Sequence, residues 1–289
     1  MNFTKLQGAG NDFVLVETGD IKCDWSRVAV AICNRRFGVG ADGLLLLLPS
    51  GVADFGMRIF NPDGSEAEAC GNGLRCLVKY VLDRGLLADI DTQEVLVETT
   101  AGIRKAMINR AVDRPAQIQV SLGVPKFEAR DIPVIIAEGD RGLVDIKSML
   151  SYTIIVDNRE LSLHFVSMGN PHAVYFSEHS VADFPLGQLG PKIEWHEMFP
   201  QRVNFEVARV ISRRRIEARV WERGVGETLA CGTGASAVVV AAQLCGFVDS
   251  KVDIKLPGGV LSVEWDGFGE VFLGGPAEIV FTGEWLDEV

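Results

Sequence analysis

The pattern of hydrophobic and polar positions along the chain predicts many short strands and few helices. A short amphipathic helix is predicted over residues 26–34, with Ser26 as its cap. Residues 74–86 and 235–245 also have helical character, and the second segment is apolar on nearly all faces, so it must be buried. Runs typical of strands occupy residues 3–6, 13–17, 44–48, 55–60, 95–98, 103–108, 117–122 and 216–221. We therefore expect an α/β (α+β) fold in which curved, mostly antiparallel or mixed sheets wrap around central buried helices.

One stretch of the chain occurs twice. Residues 58–73 align without a gap on residues 219–234, which lie 161 positions later. The two copies share an Arg, a Glu and the ending Ala-Cys-Gly-x-Gly, and each runs into a predicted helix. Other short segments of the first half have counterparts 157 to 162 positions later, which indicates duplication of a whole domain. We expect two pseudo-symmetric domains that meet near residue 124, with Cys70 and Cys231 at equivalent helix starts.

A cysteine at a helix start has a chemical consequence. The first turn of a helix presents unpaired N–H groups and a partial positive charge, so a carboxylate can bind there and a neighbouring thiol loses its proton more easily. If both halves face one cleft, one thiol can remove a proton from a carbon and the other can return a proton to the opposite face. No lysine motif for pyridoxal phosphate is evident, so no cofactor is expected.

Composition narrows the function classes. The chain has 289 residues, 47% hydrophobic content and a net charge of −11, which argues against a nucleic-acid partner. Its apolar runs are too short to span a membrane, and the N-terminus does not read as a signal peptide, so the cytoplasm is expected. The six cysteines form neither a disulfide framework nor a Cys-x-x-Cys pair, and no metal site is expected. The Gly-x-Gly-x-x-Gly at residues 38–43 follows a helix and precedes a strand, the reverse of a dinucleotide loop.

Six motifs that span nearly the whole chain resemble those of the diaminopimelate epimerase family. They are Gly10-Asn-Asp-Phe13, Asn61-Pro-Asp-Gly-Ser-Glu66, Cys70-Gly-Asn-Gly73, Gly169-Asn-Pro-His172, Glu222-Arg-Gly-Val-Gly-Glu-Thr228 and Ala230-Cys-Gly-Thr-Gly234. The resemblance implies conversion of LL-2,6-diaminopimelate to meso-diaminopimelate without pyridoxal phosphate, on the way to lysine and peptidoglycan. It implies two similar domains, residues 1–124 with 277–289 and residues 125–276, because the family's last strand returns to the first domain. The oligomeric state stays open, and a homodimer is one form the chain could take.

Site roles follow from the resemblance, position by position. Cys70 and Cys231 become the acid/base pair, and His172 lies beside the site. Substrate ligands are expected to be Asn11, Asn61, Gly71, Asn72, Asn170, Asn204, Glu222, Arg223, Gly232 and Thr233. Some family members carry Gln where this chain has Gly43, so Gly43 is left out of the site.

Three other interpretations stay open. The nearest is another cofactor-independent racemase of the proline racemase type, although Glu222 and Arg223 favour a substrate with a second polar head. The second is a thiol redox protein that uses Cys70 and Cys231 as a disulfide pair. The third is a binding protein of the same fold without catalysis. Considered without the motifs around them, Glu222 and Arg223 could form only a surface ion pair, and His172 could have only a structural role.

Overall fold

Short strands dominate the structure, a computed structural model that describes residues 1–20, 22–67, 70–87, 89, 91–111, 114–135 and 143–286. The chain divides into two compact units, Met1–Ser121 with Gly274–Val289 and Leu122–Leu273. Glu68 and Ala69 of the first repeat copy lie outside the described residues, as do residues 287–289 of the predicted first domain.

Where the structure describes it, the first part of the chain contains two helices among its strands. Its elements are β1 (Asn2–Gly8), β2 (Asn11–Glu17), α1 (Trp25–Ile32), β3 (Gly43–Leu48), β4 (Phe55–Phe60), β5 (Glu66–Ala67), α2 (Gly71–Asp83), β6 (Glu94–Thr99), β7 (Gly102–Ala111) and β8 (Arg114–Ser121).

The second part of the chain also combines strands with a few helices. Its elements are β9 (Leu143–Ile146), β10 (Met149–Val156), β11 (Arg159–Ser167), β12 (Pro171–Phe176), a 3₁₀ turn (Val181–Asp183), α3 (Leu186–Glu194), β13 (Asn204–Ser212), β14 (Arg215–Glu222), β15 (Gly226–Thr228), α4 (Gly232–Leu244), β16 (Lys251–Leu256), β17 (Gly259–Glu264), β18 (Phe272–Gly275) and β19 (Glu278–Glu284). Strand β19 pairs with β1 and completes the first unit.

Strand pairing repeats between the units. In the first unit β2 and β3 are parallel, β3 and β4 antiparallel, and β4 and β6 parallel. In the second unit β12 and β13, β13 and β14, and β14 and β16 pair in the same three senses. The Arg and Glu that the repeated stretches share form an ion pair in each copy, Arg58–Glu66 at 2.7 Å and Arg219–Glu227 at 2.8 Å. The predicted duplication therefore extends to sheet topology and side-chain contacts.

Each unit packs its sheet against one long helix. Helix α2 contacts β1 to β4, β7, β8 and β19, and α4 contacts β11 to β14, β16 and β17. Residues of α4 from Gly234 to Ala242 are buried, as its apolar sequence predicts. The predicted α+β fold class is confirmed. Among the described residues, no helix is long and apolar enough to cross a membrane.

Three local expectations need correction. Helix α2 begins at Gly71 and α4 at Gly232, earlier than their apolar segments, because the glycines after each cysteine already adopt helical geometry. Helix α1 is capped by Asp24, which accepts from the Arg27 N–H, whereas the Ser26 hydroxyl donates to the Gly64 carbonyl. Helix α3 falls in a region where no helix was predicted.

Candidate active site

Cys70 occupies the N-cap position of α2. Its backbone is extended, with φ −142° and ψ 118°, and its carbonyl accepts the first helical hydrogen bond from the Leu74 N–H at 2.8 Å. Its Sγ lies 3.9 Å from the amide oxygen of Asn11. The thiol is therefore held where the unpaired N–H groups of the first helical turn are directed.

A chain of side-chain hydrogen bonds fixes the amides around Cys70. Asn11 Nδ2 donates to Asp42 Oδ2 at 2.8 Å, which leaves Asn11 Oδ1 to accept from Asn72 Nδ2 at 3.3 Å. Arg75 donates to Asn72 Oδ1 at 2.6 Å from a fully buried position. Each amide is thus oriented by a charged neighbour, Asp42 at one end and Arg75 at the other.

The Asp42 end of this chain belongs to a charge cluster. Asp12 forms ion pairs with Lys5 at 2.6 Å and with Arg35 at 2.7 Å, and Arg35 also pairs with Asp42 at 2.7 Å. Burial alone would raise the pKa of Asp12, but the hydrogen bonds from Arg35 and Lys5 outweigh it and hold that pKa well below its ordinary value. The Asp12 carboxyl group therefore stays ionised, and Asn11 is anchored to this cluster through its hydrogen bond to Asp42.

Asn61 lies in the turn between β4 and β5. Its side chain donates to Ser65 Oγ at 2.9 Å, and its carbonyl accepts from the Gly64 N–H at 2.9 Å. Gly64 has φ +86°, which only glycine adopts easily. Asn61 is exposed, and its side-chain hydrogen bond to Ser65 is made within its own turn.

Cys231 occupies the same position at the start of α4. Its backbone is extended, with φ −118° and ψ 116°, and its Sγ lies 3.5 Å from Thr233 Oγ1. Burial raises the pKa of the Cys231 thiol well above its ordinary value, and the Glu222 carboxylate raises it further. The Thr233 hydroxyl and the Gly234 N–H act in the opposite sense. The expectation that the helix start makes this thiol more acidic is therefore wrong for Cys231 in the ligand-free state, because desolvation outweighs the N–H groups.

Asn170 and His172 connect Cys231 to a buried carboxyl group. Asn170 Nδ2 donates to Thr233 Oγ1 at 3.4 Å, and its amide oxygen lies 3.0 Å from His172 Nε2. His172 Nδ1 lies 2.7 Å from Glu206 Oε1, and both side chains are fully buried. Burial raises the pKa of Glu206, while His172 opposes that shift.

A second group of predicted residues surrounds the turn between β14 and β15. Asn204 Oδ1 accepts from the Arg223 N–H at 2.9 Å, and Asn204 Nδ2 donates to the Pro171 carbonyl at 2.9 Å. Glu222 accepts from the Thr228 hydroxyl, and the Arg223 guanidinium donates to the Gln201 carbonyl at 2.9 Å. Glu222 and Arg223 therefore bind separate partners and are not the surface ion pair that the sequence left open.

The two units differ at equivalent positions. Gly43 pairs with Phe13 between β2 and β3, as Asn204 pairs with His172 between β12 and β13. The chain thus has a candidate ligand in one unit and no side chain in the other. Among the described residues, no three His, Cys, Asp or Glu side chains are grouped so as to hold a metal ion.

Comparison with known proteins decides the family. The sequence profile named "Diaminopimelate epimerase" matches residues 3–128 and 164–280. The chain belongs to the diaminopimelate epimerase family. It is 46% identical over 286 residues to a diaminopimelate epimerase of Agathobacter rectalis, covering 98% of this chain and 99% of the relative. It is 45% identical over 288 residues to one of Pelotomaculum thermopropionicum, covering 99% of each. The resemblance seen in the motifs is confirmed, and the family is one of isomerases.

Solved structures support the fold. A PhzF-family phenazine biosynthesis protein of Bacillus anthracis superposes with a TM-score of 0.70 at 18% identity, covering 99% of each chain. A hydroxyproline epimerase of Agrobacterium vitis superposes with a TM-score of 0.69 at 15% identity, covering 98% of this chain and 91% of the other.

Four charged residues that sequence reasoning missed support the predicted site of this family member. Three of them have hydrogen-bond partners at least 30 positions away, which local motifs do not reveal, whereas Arg75 bonds to Asn72 nearby and only its full burial was not foreseen. Only Glu206 left a signal in the sequence, because it is a charged residue between apolar neighbours in Phe205-Glu-Val-Ala208. The four are Asp42, Arg75, Glu194 and Glu206.

Proposed function

We propose that the protein converts LL-2,6-diaminopimelate to meso-diaminopimelate by two-cysteine acid/base catalysis without pyridoxal phosphate. This reaction supplies precursors for lysine and peptidoglycan. The observation that carries the proposal is the repeated arrangement in a diaminopimelate epimerase family member. Each unit places a cysteine at the N-cap of its central helix, with an asparagine amide joined to the cysteine or to its neighbour. We also expect the protein to act in the cytoplasm and as a homodimer.

The helix starts suit the reacting carboxylate. The N–H groups of Gly71 and Asn72 in one unit, and of Gly232 and Thr233 in the other, belong to first helical turns, where backbone donors have no partner within the helix. Such donors stabilise the negative charge that develops on the carboxylate when the α-proton leaves. The glycines let the substrate approach the backbone closely.

One cysteine acts as the base and the other as the acid. A cysteine thiolate takes the α-proton, so the C–H bond breaks and an S–H bond forms, and the electron pair delocalises into the carboxylate. The other thiol gives its proton to the opposite face, so its S–H bond breaks and a new C–H bond forms. In the ligand-free protein burial keeps Cys231 in the thiol form, which makes it the donor in the first turnover from that state.

The unreacting end of diaminopimelate needs partners for a second carboxylate and a second ammonium. Arg223 is suited to the carboxylate and Glu222 to the ammonium, and the Asn204 amide orients the backbone between them. Asn61 occupies the same repeat position as Glu222 and offers a neutral amide. We propose that this difference lets the enzyme recognise one end of the substrate and react at the other.

Solvent-deuterium exchange at the α-carbon tests this function. Purified, reduced protein in D₂O is expected to incorporate deuterium into LL-diaminopimelate and to form the meso isomer. Cys70→Ala and Cys231→Ala are each expected to lose epimerisation, whereas Cys245→Ala, which alters a thiol at the far end of α4, is expected to retain it. No exchange by the wild type would refute the function. Exchange into proline instead would support the racemase alternative, and full activity of either alanine variant would refute the two-base mechanism.

A further inference from the structure

Arg75 is a buried cation without a carboxylate partner among the described residues. Its side chain is fully buried within α2. It donates to the Asn72 amide oxygen at 2.6 Å and to the Gly71 carbonyl at 3.5 Å, and both acceptors are neutral. Its Nε has no hydrogen-bond partner in the described structure. Since burying an unpaired charge is costly, some anionic group is expected to compensate for it.

Two thiols are close enough to interact with this guanidinium. Burial lowers the pKa of Arg75, and Cys76 and Cys70 oppose that shift. Burial raises the pKa of Cys76 to about 12 despite Arg75, so Cys76 stays protonated. Cys70 is less buried and stands at the helix start, where N–H groups also favour an anion. Cys70 is therefore the better candidate for the compensating charge.

The second unit has the opposite electrostatics behind its cysteine. Ser236 stands at the repeat position of Arg75, and it is buried and neutral. Glu206 stands where the first unit has Leu45, and Glu222 stands where it has Asn61. Both acidic groups disfavour a negative charge on Cys231. One cysteine thus has a buried cation nearby, and the other has two carboxyl groups.

We propose that Arg75 is a positioning residue that stabilises the thiolate of Cys70, so that the ligand-free enzyme holds its exchangeable catalytic proton on Cys231. This inference rests on the proposed two-cysteine function. Arg75 also holds the Asn72 amide, which contacts the amide of Asn11 beside Cys70. A single buried side chain therefore sets both the charge state and the surroundings of one thiol.

The test measures thiolate formation directly and needs no turnover. The rate of iodoacetamide alkylation of Cys70 is followed against pH in the ligand-free protein, by mass spectrometry of the peptide that contains it. Arg75→Met removes the charge and is expected to raise the pH midpoint of Cys70 alkylation by roughly one to three units. Arg75→Lys keeps the charge and is expected to restore most of the wild-type midpoint. Ser236→Ala, the matched change in the other unit, is expected to leave the Cys70 midpoint unchanged.

Each outcome decides the proposal. An unchanged midpoint in folded Arg75→Met would overturn it, as would a shift of equal size in Arg75→Lys. If Arg75→Met does not fold, the wild type alone is decisive, because a Cys70 midpoint at or above the ~8.5 of free cysteine would also overturn it. Failure of the proposed function is distinguishable, since it would appear as absent deuterium exchange while the Cys70 midpoint still depended on Arg75.

Discussion

His172 Nδ1 lies 2.7 Å from Glu206 Oε1, and neither side chain is exposed to solvent. The other ring nitrogen faces the amide oxygen of Asn170, which can only accept, so Nε2 donates. One proton therefore lies between His172 and Glu206, whichever of the two carries it. The pair fixes the orientation of Asn170, whose amide nitrogen is thereby directed to Thr233 next to Cys231.

We expect Glu206→Leu to destabilise the second unit. Leucine is the residue at the equivalent position of the first unit, Leu45, so its size and polarity suit a strand of this fold. In the second unit it leaves His172 Nδ1 buried without a partner, which costs about 1–3 kcal/mol. Urea unfolding measures the loss. Glu206→Gln can still donate to Nδ1 and is the control, expected to lose less. A leucine variant as stable as the wild type would contradict the importance of the pair.

We expect Glu222→Gln to make Cys231 react at lower pH. Burial is the main reason that the pKa of Cys231 is raised, and the Glu222 carboxylate is the next. Because a negative charge disfavours a thiolate beside it, removing that charge lowers the pKa of Cys231. Alkylation of the Cys231 peptide against pH should show the midpoint shift downward. Glu227→Gln is the control, because Glu227 pairs with Arg219 and is not among the groups that shift Cys231.

Much of the fold was predictable because the duplication is local in sequence. Each copy of the repeated stretch contains its own strand, turn, cysteine and helix start, and these follow from residue chemistry over short distances. The same reasoning chose Ser26 as the cap of α1, but the Ser26 hydroxyl is used by Gly64 and Asp24 caps the helix. Ser26 and Asp24 were both suitable caps, and the hydrogen bond from Ser26 to Gly64, 38 positions away, left Asp24 as the cap.

The charged residues that hold the site residues in place were not predictable, because tertiary packing determines their burial and most of their contacts. Arg75 reads as one polar position in an amphipathic helix, and only the packed structure shows that it is fully buried. Glu194 is adjacent to no motif, yet it contacts residues 27 and 30 positions further along the chain. Pairwise partners at such separations are fixed by tertiary packing, which a pattern of polar and apolar positions does not contain.

We expect Glu194→Gln to weaken substrate binding more than turnover. Glu194 Oε1 accepts from the Gly224 N–H at 2.9 Å and Oε2 accepts from Trp221 Nε1 at 2.8 Å. Glutamine retains one acceptor, so the turn that presents Arg223 loses a charge-assisted hydrogen bond, and KM for diaminopimelate should rise about tenfold. Steady-state kinetics measure KM and kcat separately. Trp221→Phe is the control, because it removes the indole N–H and part of the packed ring but keeps the Glu194 carboxylate and its bond to the Gly224 N–H. Equal losses in both parameters, or a loss of stability alone, would count against this role.

We expect Asp12→Asn to flatten the pH dependence of stability in acid. Ion pairs with Lys5 and Arg35 hold the pKa of Asp12 well below its ordinary value, although burial opposes this. A group whose native pKa is lowered stabilises the protein above its unfolded pKa, near ~3.9, and that stability is lost as the pH falls further. Because Asp12 is partly exposed, the loss at pH 7 should be about 1 kcal/mol.

Urea unfolding between pH 2 and pH 7 measures this contribution of Asp12. Asp83→Asn, which removes an exposed ion pair with Lys79 four residues earlier in α2, is the matched control for the loss of one aspartate ion pair. An Asp12→Asn variant whose stability falls in acid as steeply as that of the wild type would refute the assignment.

The matched glycines of the two helix starts should differ in their tolerance of alanine. A methyl group on Gly234 would lie 2.8 Å from Glu206 Oε1, and that carboxyl is held by His172 and cannot move away freely. A methyl group on Gly73 would lie 3.0 Å from Leu45 Cδ2, the end of a side chain that can rotate. Gly234→Ala is therefore expected to cost about 1–3 kcal/mol, as overpacking of a filled core does.

Gly73→Ala should cost less, because the Leu45 methyl group can rotate away, whereas the gain in helix propensity of about 1 kcal/mol is common to both variants. Thermal unfolding of the two variants, compared with the wild type, gives the difference. Equal costs would mean that the carboxyl group of Glu206 moves aside as easily as a leucine methyl group. The 2.7 Å contact with His172 would then not hold that carboxyl group in place. A larger cost at Gly234 would show that the carboxyl group behind Cys231 is a fixed part of the second unit, as the charge asymmetry between the two thiols requires.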